Sequence, residues 1–214
     1  MARSERILLS VLAALSLVLR ALAFFRYRFD SDEPQHLHVA WGWTAGLVQY
    51  RDLFDNHAPL FHILTAPILA LFGERPDILL YMRAVMLPLF AIVLYATFYV
   101  ARRLYSTRVA LWSTLLLSLF PPFFLKSVEY RTDNLWNTVW AVVLIVILAG
   151  EMTVARSLVV GLLLGIALCV SLKTILLVIT LLLAAVTTLA MTGRFRPVSR
   201  FLPRVLAGAA GFLV

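Results

Sequence analysis

Apolar runs close to bilayer length recur along the chain, separated by short polar segments. Residues 7–25, 81–100, 109–125, 135–149, 157–172 and 174–191 are dominated by Leu, Val, Ala, Ile and Phe. A helix crossing a bilayer needs ~20 mostly apolar residues. Lipid offers no partner for backbone N–H and C=O groups, so such runs must be helical. The pattern predicts an all-α, polytopic transmembrane helical bundle. Residues 205–214, VLAGAAGFLV, read as the opening of another membrane helix. Residues 1–214 are therefore expected to be the N-terminal transmembrane catalytic module of a longer protein, incomplete at its C-terminus.

Two further segments have helical signals without the length to cross. Residues 58–72, APLFHILTAPILALF, would reach only ~22 Å as a helix, against the ~30 Å hydrocarbon core. His62 and Pro67 weaken it further as a span. Pro34 suits a first helical position, and Ser31, Asp32 and Glu33 before it can cap free N–H groups. Leu37, Ala40, Trp41, Leu47 and Val48 then give residues 34–48 a ragged apolar face. The expectation is an interfacial helix lying on the membrane, so that residues 26–77 form one acidic external loop.

Charge fixes the orientation. The chain is 62% hydrophobic and carries a net charge of +8. A nucleic-acid partner is excluded by the distribution, because the basic residues form short clusters between apolar runs, as positive-inside loops do. Arg3 and Arg6 place the N-terminus in the cytoplasm. If residues 58–72 do not cross, Arg102, Arg103, Arg108, Arg156, Arg194, Arg196, Arg200 and Arg204 are also cytoplasmic. Of the eleven acidic residues, all but Glu5 and Glu151 then face outward. The single Cys169 gives no disulfide framework.

The candidate chemistry lies in the polar segments. Residues 29–62 hold all four histidines, His36, His38, His57 and His62, and also Asp30, Asp32, Glu33, Asp52 and Asp55. A carboxylate at a partly dry interface, such as Asp32, can act as a general base; the bland alternative is helix capping. Residues 129–133, EYRTD, form a second external knot. Asp133 can cap the returning helix or complete an acidic cavity with Asp32. Lys173 interrupts a long apolar stretch, where ionisable residues are costly and usually functional. Arg83 near the outer end of its helix could bind an anion. A metal centre is disfavoured, because His36 and His38 are two apart and His57 and His62 five apart, so neither pair shares a helical face.

In this order the motifs resemble those of the C-type membrane glycosyltransferases, the superfamily of protein O-mannosyltransferases and lipid A aminoarabinose transferases. Asp32-Glu33 is similar to the first-loop acidic pair. Residues 55–60, DNHAPL, resemble the Asp-x-His-Pro-Pro-Leu element, with Ala58 where Pro is usual. Arg83 and Pro88 match the following helix, residues 131–133 resemble the second-loop acidic motif, and Lys173 resembles the lysine near the lipid phosphate. The mannosyltransferase pattern places a histidine one position before His36, a departure that sets the chain apart from a clear protein mannosyltransferase.

The resemblance implies transfer of a hexosyl or pentosyl unit from a polyprenyl-phosphate donor to an extracytoplasmic lipid, glycan or protein, by inverting displacement. It implies Asp32 as the base, with Lys173, Arg83 and Arg131 on the lipid phosphate. Glu33, His57 and Asp133 would orient sugar or acceptor. No cofactor is expected, a divalent metal being the less favoured alternative. The location implied is a bacterial inner membrane. The rival readings are a multi-span transporter or flippase and a non-catalytic membrane subunit.

Overall fold

The computed structural model describes residues 1–192 and 198–214, and among them the chain is an all-helical membrane bundle with no strand. In chain order the helices are α1 (Arg3–Arg26), α2 (Asp32–Thr44), α3 (Leu60–Phe72), α4 (Ile78–Leu104), α5 (Thr107–Leu119), α6 (Pro121–Lys126), α7 (Thr132–Leu148), α8 (Val154–Val170), α9 (Thr174–Thr192) and α10 (Val198–Leu213). By length and composition α1, α4 and most of α9 can each cross a bilayer. Arg194 and Arg196, expected at the cytoplasmic end, lie outside the described residues, as does the side chain of Arg200.

The bundle has two chemically distinct ends. At one end the start of α1 meets the start of α5, where Glu5 accepts hydrogen bonds from Arg108 (2.6 Å) and Trp112 (2.9 Å). The end of α4 meets the end of α7 there too, with Arg103 donating to the Leu148 carbonyl at 3.3 Å. At the other end the close of α1 meets the opening of α4. Arg83 donates to the carbonyls of Phe24, Tyr27 and Arg28 at 3.1–3.3 Å. The chain therefore leaves α1 and enters α4 at the same end. With thirteen residues, α3 spans only ~20 Å, short of the ~30 Å hydrocarbon core.

Three local features depart from the sequence pattern for physical reasons. Residues 109–125, expected as one helix, break at Phe120, whose extended backbone (φ −63°, ψ 118°) precedes Pro121-Pro122. A residue before proline is pushed out of the helical region. Pro122 also lacks the N–H that would bond the Ser118 carbonyl. Arg20 supplies that bond instead, at 3.0 Å, and also donates to the Phe124 carbonyl and the Ser127 hydroxyl. Arg20 therefore faces the bundle, with its guanidinium over Phe90 and Phe124. Second, α2 stops at Thr44 instead of Val48; Gly46, at φ +80°, turns the chain. Third, α2 buries Glu33, His36, Val39, Ala40 and Gly42, while Trp41 of the expected face is exposed.

The core sits where these short helices meet the bundle. Ala40, Phe61, Leu69, Ile78, Met82, Met86, Tyr130 and Val170 form one buried cluster beneath the polar end. It joins α2, α3, α4 and α8 to the turn before α7.

Candidate active site

Residues 126–134 carry half of the site and are held as a tight turn. Asn134 donates to the carbonyls of Lys126 (3.1 Å) and Glu129 (2.7 Å). The turn presents Lys126, Glu129 and Arg131 to the carboxylates that open α2. Arg131 lies 2.5 Å from Asp32, 3.2 Å from Glu129, 3.4 Å from Asp30 and 3.9 Å from Asp133. Lys126 pairs with Asp30 (2.8 Å) and Glu129 (3.0 Å). Lys173, between α8 and α9, pairs with Asp133 at 2.6 Å. Four carboxylates and three cations thus alternate in one partly open array, although about a hundred residues separate Asp32 from Asp133. The Lys126 ammonium, with the Asp32 N–H, holds the Asp30 carboxyl below the usual carboxylate range.

The adjacent Asp32 and Glu33 have separate fates. The Asp32 side chain is about a third exposed and faces the array. Glu33 is fully buried and accepts a forked pair of bonds from Arg83, one of them 2.7 Å long. It also accepts from the backbone N–H groups of Asp30 (3.0 Å) and Tyr130 (3.1 Å). All five donors of Arg83 are thereby engaged, two with Glu33 and three with carbonyls at the end of α1, where a cation complements the helix dipole. Arg83, expected to face an anion, instead ties α4 to α1 and α2. Asp133 makes no capping bond to α7; its carboxylate is turned to Lys173.

His57 is not in this array. It lies in a second cluster with Asp55, His36 and His62. Asp55 Oδ1 accepts from His57 Nδ1 (3.0 Å) and Gln35 (2.9 Å), Asp55 Oδ2 is 3.6 Å from His62 Nε2, and His36 Nδ1 is 3.1 Å from His62 Nε2. Burial, reinforced by the neighbouring rings, pushes the His36 imidazole down to about 3. Burial pushes His62 down to about 4 against the pull of Asp55. Burial alone would raise Asp55, but the bonds from His57 and Gln35 outweigh it and leave the carboxyl below its usual range. Spacing along the sequence missed this cluster because its histidines come from both pairs, His36 from one and His57 and His62 from the other. Lys126, Asp30 and Gln35 were likewise passed over; Lys126 is one of only two lysines in the chain, which was the available signal.

An apolar cleft of about 670 Å³ runs between α1, α4 and α5 from Arg6 to Arg20. Its end nearest the charged array is closed by Arg20, which bonds Ser127, the residue after Lys126.

A helical bundle with apolar spans, an apolar cleft and a charged cluster at one end defines an integral-membrane protein. Residues 56–214 match the family described as dolichyl-phosphate-mannose-protein mannosyltransferase, and the chain belongs to that family. It is a membrane glycosyltransferase of the protein mannosyltransferase and aminoarabinose transferase superfamily, a group that uses a lipid-linked sugar donor. Asp32 and Glu33 precede the matched residues but are joined to them through Arg131 and Arg83. No curated protein and no solved structure matches the chain.

Proposed function

We propose that the chain transfers a sugar from a polyprenyl-phosphate donor to a nucleophile on the extracytoplasmic side, by a single inverting displacement. The observation that carries this reading is the convergence of Asp32, Asp133, Arg131 and Lys173 in one array. The cations there are matched to carboxylates at contact distance, and an arriving phosphate competes for the same donors. A phosphate takes Arg131 and Lys173 as charge-assisted partners, which releases Asp32 from Arg131 and leaves it free to accept a proton.

The reaction then balances simply. The acceptor oxygen or nitrogen forms a bond to the anomeric carbon while the bond from that carbon to the phosphate oxygen breaks. The electron pair leaves with the phosphate, and the acceptor proton passes to Asp32. Charge grows on the phosphate as it departs, so Arg131, Lys173 and Lys126 stabilise the transition state more than the ground state. Asp133 orients Lys173. His57 orients sugar or acceptor at the rim. Glu33 and Arg83 act by fixing α2, and with it Asp32. The cleft between α1, α4 and α5 suits the isoprenoid tail.

The test uses the full chain in vesicles with a panel of polyprenyl-phosphate sugars, with transfer and donor binding measured separately. Asp32→Asn keeps size and polarity but accepts no proton, so transfer should fall ~10²-fold or more with donor binding retained. Near-normal turnover would remove Asp32 from the base role. Lys173→Ala should weaken donor binding as well as slow transfer.

A further inference from the structure

We infer that His36, His62 and Asp55 form a structural metal site, zinc in character, that pins α2 to α3 and to the segment between them. The inference does not rest on the transferase reading.

The distances come first. Tetrahedral zinc with bonds of ~2.0–2.1 Å places its ligand atoms ~3.3 Å apart. The His36 Nδ1 to His62 Nε2 distance is 3.1 Å and the His62 Nε2 to Asp55 Oδ2 distance is 3.6 Å. All three ligand atoms lie within 4.8 Å of one another. The donor set of two imidazoles and one carboxylate is one that zinc takes.

The unmet bonding comes second. His36, Asp55 and His62 are each at most 2% exposed. Asp55 Oδ2 is buried and has no hydrogen-bond partner. A buried acceptor left without a partner is destabilising, and a cation bonded to it removes that deficit. Without an ion the two imidazoles face each other nitrogen to nitrogen and must share one proton. With an ion both lone pairs bind it.

Third, the carboxylate is aimed. Gln35 and His57 both bond Asp55 Oδ1, which orients the group so that Oδ2 faces the two imidazoles. Ligating carboxylates are commonly oriented this way. The fourth position falls to a water. The low exposure of all three ligands gives the ion a structural role. It joins two short elements, since α2 and α3 are each thirteen residues long.

The experiment measures metal in the purified full chain. The protein in detergent is stripped with a strong chelator, dialysed against Zn²⁺, and analysed for bound metal by mass spectrometry. About one zinc per chain is expected, and loading with Co²⁺ should give the intense visible bands of a four-coordinate site. Asp55→Asn and His62→Gln should abolish both signals. Because these variants can fail to fold, Gln35→Ala serves as a milder probe. It removes only a donor that orients Asp55, and should weaken zinc binding by ~10- to 100-fold. His38→Gln alters an exposed histidine stacked on Trp41 and should retain zinc in full. The proposal is overturned if the reloaded wild-type chain holds no zinc and shows no Co²⁺ bands. It is equally overturned if Gln35→Ala binds zinc as tightly as the wild type, or if Asp55→Asn or His62→Gln retains the metal.

Discussion

At the scale of single residues, neighbours in sequence answer to different physics. Asp32 and Glu33 read as one acidic pair, but successive residues on a helix point about 100° apart. One therefore faces the open array and the other the interior. Glu33 is tolerated there only because Arg83 and two backbone N–H groups meet it. Sequence could place Arg83 near the outer end of its helix; it could not tell that all its donors would be used. The pairing yields a prediction. Breaking a buried ion pair from one side strands a charge and costs ~3–5 kcal/mol, whereas replacing both members by apolar residues is often neutral. Arg83→Met alone should lower the thermal midpoint in detergent sharply, and Glu33→Leu with Arg83→Met should recover most of the loss. If the double variant is no more stable than the single one, the pair holds more than α2 in place.

At the scale of elements, periodicity located the helices well and misjudged what interrupts them. Residues 7–25, 81–100, 135–149, 157–172 and 174–191 each fall almost wholly within one observed helix. The break at Phe120 overturns the single helix expected over residues 109–125, because a Pro-Pro pair cannot be crossed by a regular helix. The buried face of α2 was also misjudged. Hydrophobicity marks a face as buried only when its polar members lack partners, and Glu33 and His36 have partners far away in sequence. The glycines of α8 and α10 carry a similar hidden instruction. The two helices run parallel, with Gly161 against Gly208 and Gly165 against Phe212, so close that a Cβ on Gly161 would lie 2.0 Å from the Gly208 carbonyl oxygen. Small residues allow such approach in membranes, where packing drives association. Gly161→Leu should therefore separate the pair and destabilise the bundle by ~1–3 kcal/mol or more. Leu162→Ala, at an exposed neighbour, should do much less. Equal thermal midpoints for the two variants would mean that this contact is dispensable.

At the scale of the whole molecule, one parity argument sorts the charge, and the fold supplies the step that the sequence had to assume. That step is the return of α2 and α3 to the end from which α1 departed. Arg83 fixes it by holding the last carbonyls of α1 against the first turns of α4. Arg6, Arg102, Arg103, Arg108 and Arg156 then share one end, and Asp30, Asp32, Glu129, Asp133 and Lys173 share the other. The basic end should be cytoplasmic, which puts the array on the far side, where a lipid-linked sugar would meet an acceptor. Labelling tests this directly in a Cys169→Ala background. Phe54 is 87% exposed in the segment between α2 and α3, and Tyr105 is 75% exposed between α4 and α5. Phe54→Cys should react with an impermeant maleimide in intact cells. Tyr105→Cys should react only after the membrane is opened. Strong labelling of Tyr105→Cys in intact cells, with Phe54→Cys protected, would invert the assignment and put the charged array in the cytoplasm. Labelling of both from outside would mean that α4 does not cross at all. The expected pattern instead places the four carboxylates and three cations of the array together at the extracytoplasmic face.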